Sequence, residues 1–157
     1  MNCLLRTSHS TAAFSLLVIL LACLDRLTKW YALQLKEPVV LTPFLQWVLH
    51  FNRGISFSLL HSTSAIGYWS VTIAIGGMVG YLLYYTHQQY RGGGWIWPEL
   101  LVIGGAASNL ADRFIYAGVI DFIAVSYGTY HFPVFNIADM MIVSGVVGMC
   151  LMTWYES

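Results

Sequence analysis

The chain has 157 residues, 58% of them apolar and only 9% charged. A soluble domain carries roughly 25% charged residues, so a chain of this length reads as a single domain, residues 1–157, whose surface faces lipid. The formal charge sums to zero, which argues against a nucleic-acid partner; the histidines are scattered and there is no H-E-x-x-H or C-x-x-C, so neither a metal site nor a cofactor is implied.

A membrane span needs about 20 mainly apolar residues. The predicted fold is an α-helical membrane protein with four spans, at about 11–33, 65–86, 95–116 and 136–155. The first contains Leu-Leu-Ala-Cys at Leu20–Cys23, which looks like a lipoprotein cleavage box. The helix must run past Cys23 to cross the bilayer, so Cys23 is expected to be an ordinary span residue. Asp25 and Lys29 follow at i,i+4 on one face. Lys29 is expected to snorkel toward water, which leaves a part-exposed pair worth about 0–1 kcal/mol. Residues 34–64 are rich in β-formers, with Asn52-Arg53-Gly54 as a turn signal. The second span has no charge, and its Gly76-x-x-x-Gly80 spacing, like Ser144-x-x-x-Gly148 in the fourth, suits close helix approach. His87–Gly94 reads as a plain linker. The third span ends with Asn109, Asp112 and Arg113 in one turn. Residues 117–135 hold two strand-like runs around Tyr127-Gly128, expected to form one small sheet with the earlier β-segment. The fourth span opens on Asn136 and Asp139. Cys3, Cys23 and Cys150 show no pairing pattern.

Alternating spans sort the polar residues. Asp25, Arg26, Lys29, Lys36, Glu37, Arg53, Asp112, Arg113, Asp121 and Asp139 fall at one face, with Asn52, Asn109 and Asn136 beside them. Arg6, Arg91, Glu99 and Glu156 fall at the other. A carboxylate inside a membrane segment is costly and so marks a functional site by default. Asp121 and Asp139 both sit among apolar neighbours. If they meet, both cannot ionise comfortably; they share a proton, and one serves as base while the other serves as acid. Such a pair activates water against a peptide carbonyl. The sequence shows only that both lie on one face.

Five stretches carry a resemblance. Asp25-Arg-Leu-Thr-Lys29, Asn52-Arg-Gly-Ile-Ser-Phe57, Gly104–Arg113, Gly118-Val-Ile-Asp-Phe122 and Phe135-Asn-Ile-Ala-Asp139 resemble, in order, the motifs of the lipoprotein signal peptidase (signal peptidase II) family of membrane aspartyl proteases. The resemblance implies Asp121 and Asp139 as the catalytic dyad. It implies that Asn52, Gly54, Asn109, Arg113, Asn136 and Ala138 hold substrate and orient the site, with Asp25 and Lys29 as an accessory pair. It also implies a prolipoprotein substrate whose cysteine carries diacylglycerol, cut just before that cysteine, and inhibition by globomycin-type depsipeptides. A monomer in the bacterial inner membrane is expected, in contact with its lipids, with cytoplasmic termini and the site near the extracytoplasmic face. Ser108 stands where the family usually has glycine. Serine is small enough to keep the backbone unless the position needs φ > 0, where it would be strained.

Charge points the other way on orientation. Arg26, Lys29, Lys36, Arg53 and Arg113 lie on the site face against Arg6 and Arg91 opposite, and the positive-inside rule would put the site in the cytoplasm. Two rival activities stand beside the peptidase. One is a small proton-coupled transporter using the Asp121/Asp139 pair. The other is a Ser–Lys protease using Ser108 and Lys29.

Overall fold

The computed structural model describes residues 2–54 and 64–156. Four helices and a four-stranded antiparallel sheet follow in the order α1 (Asn2–Ala32), β1 (Val39–Thr42), β2 (Leu45–Asn52), α2 (Ala65–Arg91), α3 (Trp97–Tyr116), β3 (Val119–Tyr127), β4 (Tyr130–His131) and α4 (Ile137–Glu156). Three helices contain stretches long and apolar enough to cross a membrane, at Thr11–Ala32, Ala65–Arg91 and Ile137–Tyr155. The helix α3 has 20 residues but carries Glu99, Asp112 and Arg113, and all three are buried. Large apolar side chains point outward, as lipid-facing helices require: Ile66 is 82% exposed and Met78 71%.

Local chemistry explains the boundaries. The helix α2 starts at Ser64, whose hydroxyl accepts the Gly67 N–H at 3.1 Å, an N-cap that satisfies one orphan donor. Pro98 lies in the first turn of α3, where its missing N–H costs nothing. That helix ends on Ala117 in the left-handed conformation, φ 53°, and the chain turns directly into β3. The helix α2 runs five residues beyond its expected end at 86, so the expected linker shrinks to the glycines that follow Arg91.

The first hairpin turns at Pro43-Phe44, between the paired Thr42 and Leu45. Asn52-Arg53-Gly54, expected to be a turn, ends β2 in an Asx turn, the Gly54 N–H donating to Asn52 Oδ1 at 2.9 Å; Ile55–Phe57 lie outside the described residues. The second turn is where the sequence put it, after Tyr127, with Gly128 at φ 58°. The strands β2 and β3 pair with His50 opposite Asp121 and Asn52 opposite Val119. Ile120 and Phe122 of β3 pack on Ala32 at the end of α1, which seats the sheet on the helix ends.

The closest helix approach is between α3 and α4, and not at the spacing first singled out in α2. A side chain on Gly76 or Gly80 would meet nothing within 4 Å. A Cβ on Gly105 would strike the Ala138 carbonyl and lie 2.9 Å from Ile142 Cγ1; one on Gly145 would lie 2.5 Å from the Pro98 carbonyl. Glycines let backbones approach where lipid gives no hydrophobic push. In the fourth span Gly148 does pack closely, 2.7 Å from the Trp97 ring by the same test. Gly105→Ala should therefore lower the melting temperature in detergent, by the roughly 1–3 kcal/mol typical of overpacking. Gly77→Ala, with open space around it, should not. Equal melting temperatures for the two variants would remove the α3–α4 seam as the close contact.

Candidate active site

The helix α4 opens with a carboxylate because Asp139 completes a cap. Asn136, just before the helix, accepts the Asp139 N–H on its side-chain oxygen at 2.8 Å. The Asp139 carboxylate accepts the Asn136 N–H in return at 3.1 Å. This reciprocal pair satisfies two orphan donors and sets a negative charge at the positive end of the helix dipole. A third donor, the Ala138 N–H, is taken by Asp25 of α1 at 3.0 Å. Ala138 itself is fully buried and serves the site through its backbone.

The residue before the cap ties α4 to the sheet. The Phe135 carbonyl accepts from the N–H groups of Phe122 and Ile123 at 3.1 and 2.8 Å, and the Phe135 N–H returns to the Ile123 carbonyl at 3.1 Å. Asp121 lies inside β3, one residue away, so this ladder brings the two aspartates to one place. Asn136 bridges them: its Nδ2 donates to Asp121 Oδ1 at 2.6 Å while its main chain holds Asp139. Each carboxylate receives one further amide. Asn52 Nδ2 donates to Asp121 Oδ2 at 3.1 Å, and Asn109 Nδ2 donates to Asp139 Oδ1 at 2.8 Å.

Asp121 is 1% exposed, and burial together with the charge of Asp139 pushes its pKa up to about 7, against the pull of the Asn52 and Asn136 amides. Among the described residues, no cation lies within ion-pair distance of either aspartate. A carboxyl pair held this way favours one shared proton. Beside it opens a cavity of about 380 Å³, reached by Asn52, Asp139 and Ser144 and otherwise walled by apolar side chains such as Phe132, Val134, Met140 and Val143.

A second polar cluster lies behind the first. Lys29 Nζ is 2.8 Å from both Asp25 Oδ2 and Asp112 Oδ2 and donates to Asn109 Oδ1 at 2.8 Å. Arg26 reaches Asp112 Oδ1 at 2.7 Å, and Asp112 also accepts the Ile120 N–H at 3.2 Å. The expectation of a part-exposed, snorkelling Lys29 is thus wrong. The side chain is 1% exposed, because α3 and β3 close over the end of α1. Removing one partner of such a buried pair costs about 3–5 kcal/mol, not the 0–1 of a surface pair.

Arg113 and Gly54 form a third group. The Arg113 guanidinium donates to the Gly54 carbonyl, and the Gly54 N–H donates to Asn52 Oδ1 at 2.9 Å. Arg113 therefore braces the backbone that aims Asn52. Tyr68 holds the arginine: its hydroxyl donates to the Arg113 carbonyl at 2.8 Å, and its ring lies 5.5 Å from the guanidinium carbons of both Arg113 and Arg53. Sequence reasoning missed Asp112, Arg26 and Tyr68 as site residues, and considered Ser108 only as a rival nucleophile and not as a partner of Asp25. Asp112 left a signal, since it lies three residues after Asn109 on the same helix face. Tyr68 left none, because its contact with Arg113 spans 45 positions.

Residues 17–155 match the family model described as signal peptidase (SPase) II. The chain belongs to the signal peptidase II family. It is 34% identical over 152 residues to the lipoprotein signal peptidase of Polynucleobacter necessarius, covering 95% of this chain and 91% of that protein. It is 34% identical over 161 residues to that of Xylella fastidiosa strain M12, covering 97% and 95%. Two solved structures of bacterial membrane enzymes share the fold, with TM-scores of 0.71 and 0.68 at 24% and 23% identity; they cover 92% and 93% of this chain, which in turn spans 89% and 95% of theirs. Family membership makes the chain an aspartic peptidase, and with its apolar helices a bacterial inner-membrane protein. The transporter reading is not favoured. Nor is a Ser–Lys protease: the Lys29 ammonium is bound to two carboxylates, and the Ser108 hydroxyl donates to Asp25 at 2.6 Å.

Linkage gives a sign to test. The folded Asp121 pKa, about 7, exceeds the 3.8 of an ordinary aspartate, so between those pH values the folded state binds more protons than the unfolded one. Its burial then costs stability progressively as pH rises through that window. Asp121→Asn escapes this cost. Its melting temperature relative to wild type should shift in the variant's favour from pH 5 to pH 8, and a constant difference would mean that Asp121 titrates normally.

Proposed function

We propose that the chain is an endopeptidase that removes the signal peptide from diacylglyceryl-modified prolipoproteins, cutting just before the lipidated cysteine. The observation that carries this reading is the pair Asp121 and Asp139, bridged by one asparagine, with no cation at ion-pair distance among the described residues, at the edge of a largely apolar cavity. In this mechanism the pair shares one proton. Asp121, with its pKa pushed up to about 7, holds that proton and donates to the scissile carbonyl. Asp139 takes a proton from the attacking water. The tetrahedral gem-diol collapses as Asp139 gives its proton to the leaving amine and one diol hydroxyl returns its proton to Asp121, which regenerates the pair.

The other site residues have support roles in this proposal. Asn52, Asn109 and Asn136 each offer a donor and an acceptor, so they fix the carboxylates and meet the amides of an extended substrate strand. Those amides would go unpaired in lipid. Arg113 and Gly54 hold Asn52 in place; Asp25, Lys29 and the Ala138 N–H hold Asn109 and α4. The signal helix enters sideways from the bilayer, and the cavity beside Asp139 receives its apolar side chains. One domain of four spans, with α3 as the fourth, acts as a monomer with cytoplasmic termini and its site near the extracytoplasmic face. Three of the five basic residues on the site face, Arg26, Lys29 and Arg113, bond within the site, which gives them a reason to be there other than topology.

Cleavage of a lipidated prolipoprotein by the purified chain should survive chelator and be blocked by a globomycin-type depsipeptide. Asp121→Asn and Asp139→Asn should each lower turnover by at least about a hundredfold, as loss of a general acid or base does, while the protein stays inserted and folded. Substantial cleavage by either variant removes that residue from the dyad.

A reporter fused after Glu156 should be cytoplasmic, and one inserted after Gly128 extracytoplasmic. The reverse pattern in intact cells would give the charge rule the decision.

A further inference from the structure

Ser108 lies in α3, one residue before Asn109, and is 7% exposed. It does not strain the helix: Ala117 is the one non-glycine residue with positive φ among the described residues. Instead it joins α3 to α1 twice. Its hydroxyl donates to Asp25 Oδ2 at 2.6 Å, and its carbonyl accepts from Arg26 Nη2 at 3.2 Å. A hydroxyl this close to a carboxylate makes a charge-assisted bond, among the stronger kinds in proteins.

The position of that bond gives it a role. Asp25 Oδ2 is shared by Ser108, Lys29 and, at 3.5 Å, Arg26, while Asp25 Oδ1 holds the Ala138 N–H in the first turn of α4 at 3.0 Å. The two cations alone would leave the carboxylate free to turn between them, and Asp112 draws on both. With Ser108 holding Oδ2 from α3, Oδ1 stays aimed at Ala138, the neighbour of Asp139.

We propose that Ser108 is a positioning residue for the peptidase reaction: its hydroxyl fixes the rotation of Asp25, and through the Ala138 N–H it sets the first turn of α4 and the Asp139 carboxylate. This rests on the proposed role of Asp139. Catalysis tolerates little displacement of a reacting group; about 1 Å can cost a hundredfold in rate. Loss of one of several restraints should cost less, roughly three- to tenfold in kcat, with substrate binding unchanged.

The test compares wild type, Ser108→Ala and Ser108→Gly in detergent, on one lipidated prolipoprotein. Both variants lack the hydroxyl, and both should show the drop in kcat at constant KM. Amide hydrogen exchange across residues 136–142 should be faster in both, centred on 137–139. Wild-type kcat in either variant overturns the proposal, as does a loss confined to KM or a loss of kcat without faster exchange at 137–139. If wild type fails to cleave the substrate, the peptidase reading fails, and the exchange measurement still decides the link from Ser108 through Asp25 to α4.

Discussion

One ammonium group organises the site. Lys29 has three N–H donors, and each has an acceptor at 2.8 Å: Asp25, Asp112 and the side-chain oxygen of Asn109. A buried amine with all three donors used is pinned. Because its third bond goes to an oxygen, the Asn109 amide can point only one way, with its nitrogen toward Asp139. Turning that amide over would set its N–H₂ against an ammonium and its oxygen against a carboxylate. The charge buried behind the site thus fixes the polarity of a neutral group in front of it.

The same residue type does two opposite things a few residues apart. Asp25 and Asp112 face Arg26 and Lys29, two charges of each sign, so this buried group is neutral overall. Such clusters gain little net stability once desolvation is counted; their contribution is geometric, since they connect α1 to α3, to β3 through the Ile120 N–H and to α4 through the Ala138 N–H. Asp121 and Asp139 are surrounded by amide donors and lack a close cation. Amides stabilise a carboxylate less than an ion pair does, so burial prevails at Asp121 and its pKa rises to about 7. The division between the charge-paired carboxylates and the amide-held pair follows from where four of the five basic side chains of this end go: Arg26 and Lys29 to Asp25 and Asp112, and Arg53 and Arg113 to the Tyr68 ring.

Packing serves the same end. The seam at Gly105 and Gly145 brings α3 against the first turns of α4, and the atom nearest a Gly105 side chain would be the Ala138 carbonyl. Asn109 sits one turn further along α3 and reaches Asp139 only because the backbones lie this close. The sheet supplies the other half. Phe135 bonds across to Ile123, so the strand bearing Asp121 and the cap bearing Asp139 are held by a ladder next to the reactive groups.

The sequence by itself determined the membrane class, the four helices within about five residues except at the start of α1, which begins at Asn2 and not near 11, a small sheet built from the two long connections, and the set of polar residues gathered at one end. These are legible because they rest on composition and short-range periodicity, which each segment carries alone. It also marked Asn52, Asn109, Asn136, Asp121 and Asp139 through local motifs. What it misjudged depends on contacts between distant segments. Lys29 looked part-exposed because its burial comes from α3 and β3, some eighty residues on. Gly76 and Gly80 looked like a packing face because spacing cannot tell which helix, if any, lies opposite. Tyr68 and Asp112 went unassigned, and Ser108 was weighed only as a nucleophile, because their partners lie on other elements. Only the tertiary structure decided which carboxylates are paired with cations and which are held by amides. A side chain's charge environment is a property of the neighbours that folding brings to it.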